Sequence, residues 1–175
     1  MKSDDFIDTL RRRIAVTAVG PSALRGQGKG VLSAAQCYLS RINLSQLPSS
    51  SQKEFLRWLD VQTAALLRQL PVSEKPWGAA RKAINLFLRD LLYNRYLCQH
   101  FVMQRLEPWL EIPLDRTVAT GLRREAAREQ LPFWPGLKHL RPNVSKRFQD
   151  FASELAKRKC LDRVHLDVYL WLENR

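Results

Sequence analysis

Apolar side chains recur at intervals of three and four along almost every long segment of the chain, and no segment alternates apolar with polar residues for long. That spacing builds amphipathic helices and predicts an all-α fold. A first helix is expected over residues 3–16, followed by a glycine-rich loop from Gly20 to Gly30. A second helix runs to Leu44 and is stopped by Leu47-Pro48-Ser49-Ser50-Ser51. Gln52 to Leu70 reads as a third, with Phe55, Leu59, Leu66 and Leu70 along one stripe. Pro71 and Pro76 bracket a break, after which a long helix is predicted from Trp77 to Leu106, with Ile84, Leu88, Leu91, Leu92 and Tyr96 facing inward. Pro108 and Pro113 isolate a turn before a short helix opened by Asp115. Pro132, Pro135 and Gly136 mark another irregular stretch, and helices over 143–158 and 163–173 close the chain.

With 175 residues, the chain is the size of a single domain over 1–175. A chain of that length buries about 70% of its unfolded surface, so it needs no metal or disulfide staple. The three cysteines, Cys37, Cys98 and Cys160, are far apart and none belongs to a C-x-x-C or Cys/His pair. Free thiols in a reducing compartment are expected, with neither zinc nor an iron–sulfur cluster. No run is long and apolar enough for a membrane span, and Asp4, Asp5 and Asp8 precede Arg11 to Arg13 where a signal peptide would place its charges first. These features predict a cytoplasmic protein without a membrane partner.

Charge narrows the partner. Twenty-nine Lys and Arg against 17 Asp and Glu give a formal net charge of +12. An excess of that size favours a polyanion through counterion release. The chain is nevertheless 45% apolar with five Trp, unlike a lysine- and glycine-rich RNA-coating tail.

Three segments carry candidate chemistry. In Gly78-Ala79-Ala80-Arg81-Lys82-Ala83-Ile84-Asn85, small residues sit at the bend of a predicted hairpin over 71–90. Such a bend presents backbone N–H groups at a helix N-terminus, where they hold a DNA phosphate; Gly78, Ala80 and Arg81 are the expected contacts, and Lys82 projects from the first turn. In Pro113-Leu114-Asp115-Arg116-Thr117-Val118 the aspartate caps a helix expected over 114–124. Lys82 and Asp115 are 33 positions apart. An amine and a carboxylate are the pair needed to break an N-glycosidic bond and open the sugar. In the third segment, Arg163 to Leu172, Asp167 and Trp171 share a helix face at i and i+4, so an acceptor and an aromatic plate meet one base together. Gln27, in Arg25-Gly26-Gln27-Gly28-Lys29-Gly30, is placed to read a base edge, and no Walker motif is present there. His100, His139 and His165 are scattered and receive no ligand role. Arg123, Arg124 and Arg128, then Lys138, Arg141, Lys146 and Arg147, then Lys157, Arg158, Lys159 and Arg163 are candidate phosphate contacts.

The first segment resembles the Gly-x-Gly-Arg-Lys-Thr-Ala-Asn string of the endonuclease III branch of the helix-hairpin-helix DNA glycosylases. Ala80 stands where the second glycine is expected, and Pro76-Trp77 replaces a Leu-Pro. The second resembles their Pro-Val-Asp-x-x-Val element. His165-Leu166-Asp167-Val168-Tyr169-Leu170-Trp171-Leu172 is similar to the C-terminal His-Leu-Asp-x-x-Leu-Trp-Leu of the archaeal 8-oxoguanine DNA glycosylases, a branch with a longer gap between lysine and aspartate. The likeness covers residues 76–175 and thins before residue 70.

The resemblance implies a helical bundle of two subdomains with the active site in the cleft between them. It implies a monomeric DNA N-glycosylase that flips out and excises a modified base from double-stranded DNA, 8-oxoguanine-like or a hypermodified phage base, in genome repair or in defence. Lys82 and Asp115 would be catalytic, Gln27, Asp167 and Trp171 would bind the base, and Gly78, Ala80, Arg81, Arg123, Arg124 and Lys146 would bind DNA. Abasic-site lyase activity would follow from the lysine, with no cofactor and no metal. The alternative is a non-catalytic DNA- or RNA-binding helical module, which needs the basic faces and no special Lys82 or Asp115.

Overall fold

The computed structural model describes residues 3–127 and 130–172. Its helices are α1 (Ser3–Thr17), α2 (Val31–Leu39), α3 (Gln52–Gln69), α4 (Trp77–Tyr93), α5 (Arg95–His100), α6 (Arg116–Glu125), α7 (Pro142–Arg158) and α8 (Leu166–Leu172), linked by loops and single 3₁₀ turns. No strand occurs among the described residues, so the all-α reading stands. Among them, no helix is long and apolar enough to cross a membrane.

Local chemistry explains most helix boundaries. Ser51 caps α3 by accepting from Glu54 N at 3.2 Å, and Pro142 occupies the first turn of α7, where its missing N–H costs nothing. The long helix expected to reach Leu106 instead ends at Tyr93. Asn94 is extended (φ −87°, ψ 111°) and its side chain accepts from Leu97 N at 3.1 Å, which starts α5. The break changes the direction in which α5 presents its side chains: Tyr96 is 56% exposed rather than inward and meets Phe6 edge-on. The second helix stops at Leu39, five residues early, and Asn43 caps a 3₁₀ turn over Leu44–Gln46. The last helix begins at Leu166, after a 3₁₀ turn over Arg163–His165.

The buried residues fall into two apolar clusters. The larger joins α1 to α5 around Phe55, Leu59, Leu66, Phe87, Leu88 and Leu91; the smaller joins α6 to α8 around Leu122, Phe148, Leu155, Leu166 and Leu170. Helix α4 runs through the middle, buried at every position from Gly78 to Leu88. A helix enclosed on all sides is normally apolar throughout, yet this one carries Arg81, Lys82 and Asn85.

The arginine lies in a polar seam between the two clusters. Its Nε and Nη2 donate to the two oxygens of Glu111 at 2.8 and 2.9 Å, and its Nη1 to Asp60 at 2.8 Å. Asn85 adds a bond to Glu111 at 3.1 Å, and Gln149 brackets Ile112 through its backbone N and O at 3.1 and 2.8 Å. Burial pushes the Glu111 carboxyl up, but Arg81, Arg163 and Asn85 outweigh it and hold it below its usual 4.5. A carboxyl lowered by folding stabilises the native state above its unfolded value and stops doing so as pH falls through its folded value. Melting temperature should therefore drop as pH is lowered below about 4.5, this group contributing at most about 1.4 kcal/mol per pH unit. A scan of melting temperature against pH checks this: Glu111→Gln should lower stability at pH 7 and flatten the acid limb.

Candidate active site

Lys82, Leu86 and Arg89 recur at i, i+4 and i+7 along one face of α4 and form the floor of a cleft of about 700 Å³. One wall comes from the end of α1 and the segment after it, through Thr17, Ser22 and Ala23; another from Pro113, Asp115 and Thr117 at the start of α6; the third from Asp167 and Trp171 of α8. The cleft thus joins residues from four helices distant in sequence.

At its base, Lys82 Nζ donates to Asp115 Oδ2 at 3.1 Å and to the Ala23 carbonyl at 3.0 Å. The lysine side chain is 7% exposed and the aspartate 34%, so solvent and any ligand reach this pair from the cleft. The two carboxylate oxygens of Asp115 divide their work. Oδ1 accepts from Val118 N at 2.9 Å and caps α6, and Oδ2 faces the amine. Capping and chemistry are therefore compatible in this one side chain. Lys82 lies in the second turn of α4 rather than the first, because that helix opens at Trp77.

Higher in the cleft, Asp167 is paired with the Arg89 guanidinium, which also holds Asp90 at 2.8 Å. Burial pushes the Asp167 carboxyl above its usual range, and Arg89 pulls it back only in part. Trp171, one turn further along α8, is 48% exposed at the rim. The expected i, i+4 face of Asp167 and Trp171 does open on the same space as Lys82 and Asp115.

Other expected site residues are elsewhere. Gln27 does not line the cleft; its Nε2 donates to Arg25 O at 3.4 Å within its own loop. Two of the loop glycines serve packing: a Cβ on Gly28 (φ +113°) would lie 2.7 Å from Val72, and one on Gly30 3.0 Å from Pro71. The proposed DNA contacts Gly78, Ala80 and Arg81 are also misassigned as exposed groups. A Cβ on Gly78 would lie 2.4 Å from Leu137 O and 2.7 Å from Leu140 Cβ, so the 137–140 turn covers the start of α4. Ala80 is 1% exposed, and Arg81, at 6%, has its guanidinium turned into the seam with Glu111 and Asp60. Arg163 is similarly buried, donating to the Leu110 and Trp109 carbonyls at 3.1 and 2.9 Å.

Arg123 and Arg124 are exposed at the end of α6, Arg123 lying 5.3 Å from the ring centroid of Phe133, itself 80% exposed. Lys146 is exposed and pairs with Asp150 at 2.6 Å. Arg128 lies outside the described residues.

Comparison with protein-family models, curated proteins and solved structures returns no match. The functional reading therefore rests on the cleft itself.

Residues that sequence reasoning passed over include Thr17, Ser22 and Arg89. Arg89 had a signal, since it continues the Lys82–Leu86 face by one turn. Thr17 and Ser22 had none, because only the packing of α1 brings them beside α4.

Proposed function

We propose that this chain is a DNA N-glycosylase of the helix-hairpin-helix type, with abasic-site lyase activity, acting on double-stranded DNA that carries a modified base. The observation that carries the reading is the Lys82–Asp115 pair, 3.1 Å apart at the base of a cleft that Asp167 and Trp171 also line. A volume of about 700 Å³ lies within the range of about 300–1,000 Å³ typical of ligand pockets. Two apolar clusters meeting at α4 support the arrangement of two subdomains around a cleft.

In the proposed reaction the target nucleotide leaves the stack and its base enters the cleft, where Trp171 offers an aromatic face and Asp167 a hydrogen-bonding edge. Asp115 stabilises positive charge on the sugar as the base departs. Lys82 must first lose a proton, which passes to solvent in the cleft, so that Asp115 stays ionised beside the amine and the sugar. The free amine then attacks C1′, the C1′–N bond breaks with its electron pair passing to the base, and the base takes a proton from water in the open cleft as it leaves. Opening of the sugar ring gives a Schiff base to Lys82, and β-elimination then cuts the strand on the 3′ side. The exposed Arg123, Arg124 and Lys146 would contact phosphates.

The test is incubation with duplexes carrying a panel of modified bases, 8-oxoguanine and hypermodified pyrimidines among them, with separation of the free bases. Release of one class from duplex DNA is the expected result, and a protein that binds these duplexes yet releases nothing would be the binding module instead.

A further inference from the structure

Away from the catalytic pair, where the chain enters α8, three donor groups converge that take no part in the proposed reaction. Glu107, Asp162 and His165 each direct one ligand atom into a space where those atoms lie within 4.8 Å of one another. His165 Nε2 is 2.6 Å from Glu107 Oε1, and His165 Nδ1 is 2.9 Å from the Tyr93 hydroxyl. The Tyr93 and imidazole rings also stack at 5.7 Å with an interplanar angle of 11°, which fixes the ring's orientation.

Charge makes this cluster unusual. In a chain of net charge +12, two carboxylates face each other here, and among the described residues no Lys or Arg pairs with either. Asp162 has no side-chain hydrogen bond or ion pair at all among them. Elsewhere in the fold comparable acids are answered by cations, as Glu111 is by Arg81 and Asp167 by Arg89. A single imidazole between two carboxylates leaves the site short of positive charge, and all three side chains are only half-buried, so an ion can enter.

We propose that Glu107, Asp162 and His165 form a binding site for one divalent transition-metal ion of the zinc or manganese class. One imidazole nitrogen with two carboxylate oxygens is a borderline-to-hard donor set that suits these ions and has no thiolate to select softer ones. With zinc–nitrogen and zinc–oxygen distances of about 2.0–2.2 Å, tetrahedral ligands stand about 3.4 Å apart. The present separations, 2.6 Å between His165 Nε2 and Glu107 Oε1 and none above 4.8 Å, lie on either side of or near that value. Tyr93 is placed as the outer-shell partner that a metal-bound histidine requires: once the ion replaces the Nε2 contact with Glu107, Nδ1–H would donate to the Tyr93 hydroxyl 2.9 Å away.

The ion would tie the turn holding Glu107 to the residues that lead directly into α8, the helix carrying Asp167 and Trp171. Its role is structural: it holds one wall of the cleft in place. No spacing in the sequence announces the site, because Glu107 and His165 are 58 positions apart.

Titration of the metal-free protein with ZnCl₂ and MnCl₂, read by calorimetry and thermal melting, tests this. One equivalent should bind and raise the melting temperature, and Asp162→Asn and His165→Gln should each weaken binding at least about tenfold, by analogy with other lost ligand-shell groups. Both variants keep the size of the side chain, and their circular dichroism reports whether they fold. Cobalt(II) distinguishes this site from the free cysteines: nitrogen and oxygen ligation gives weak visible bands, whereas thiolate ligation adds an intense near-ultraviolet band. Absence of stoichiometric binding, a thiolate band, or binding unchanged in both variants would overturn the proposal. None of these readouts depends on the glycosylase reading.

Discussion

Asp115→Asn is expected to leave a folded protein that binds damaged duplex and releases base at least about 100-fold more slowly than the native chain. The asparagine keeps an oxygen that can accept from Val118 N, the bond now made by Oδ1 at 2.9 Å, so α6 remains capped. What is lost is the charge on Oδ2, the oxygen turned toward Lys82. The aspartate is 34% exposed, and a partly solvated ion pair is worth little. Cap and pair together should therefore cost no more than about 1–2 kcal/mol, visible as a modest shift in melting temperature. Chemistry is affected far more, because with DNA bound over the cleft water is displaced and the negative charge acts on the developing sugar cation with less screening. Single-turnover base release against a melting curve on the same sample separates the two effects. Near-native release by well-folded Asp115→Asn would leave this residue as a helix cap alone.

Lys82→Ala has the second large effect. Removing the amine removes the proposed nucleophile at the base of the cleft, and loss of a covalent catalyst typically costs several orders of magnitude, so strand cleavage should vanish within detection. The lysine is 7% exposed and its Nζ holds Ala23 O as well as Asp115, so the truncated variant is also expected to be less stable. Lys82→Gln is the control, retaining a donor to the Ala23 carbonyl without a nucleophilic amine. If both variants fold and both cut an abasic duplex at the native rate, Lys82 is a structural partner of Asp115 and nothing more.

Helix identity was legible in the sequence because burial in this fold repeats with helical period. α3 and α7 begin or end within a residue of the expected positions, each framed by Ser51 or Pro142. The break at Asn94 was not legible: an asparagine inside an apolar-periodic run reads as a surface residue, and only its side-chain bond to Leu97 N makes it a cap. Lys82, Asp115, Asp167 and Trp171 could be picked out because each sits in a short local pattern, and the fold assembles them in one cleft. Arg81 was misread for the opposite reason. Its charge is visible in the string, but its partner Glu111 is 30 positions away and turns an expected surface cation into a buried one. Gln27 was placed wrongly too, since Gly28 and Gly30 let the loop pack closely on Val72 and Pro71 and leave Gln27 outside the cleft lining.

The central claim, that Lys82 is a nucleophile toward a DNA sugar, is tested most directly by borohydride reduction during turnover. Native protein mixed with duplexes carrying a modified base or an abasic site should yield a covalent protein–DNA adduct. Peptide mapping should place that adduct on Lys82, and Lys82→Gln should give none. An adduct on another lysine, or complete base release with no adduct from any duplex, would contradict the account.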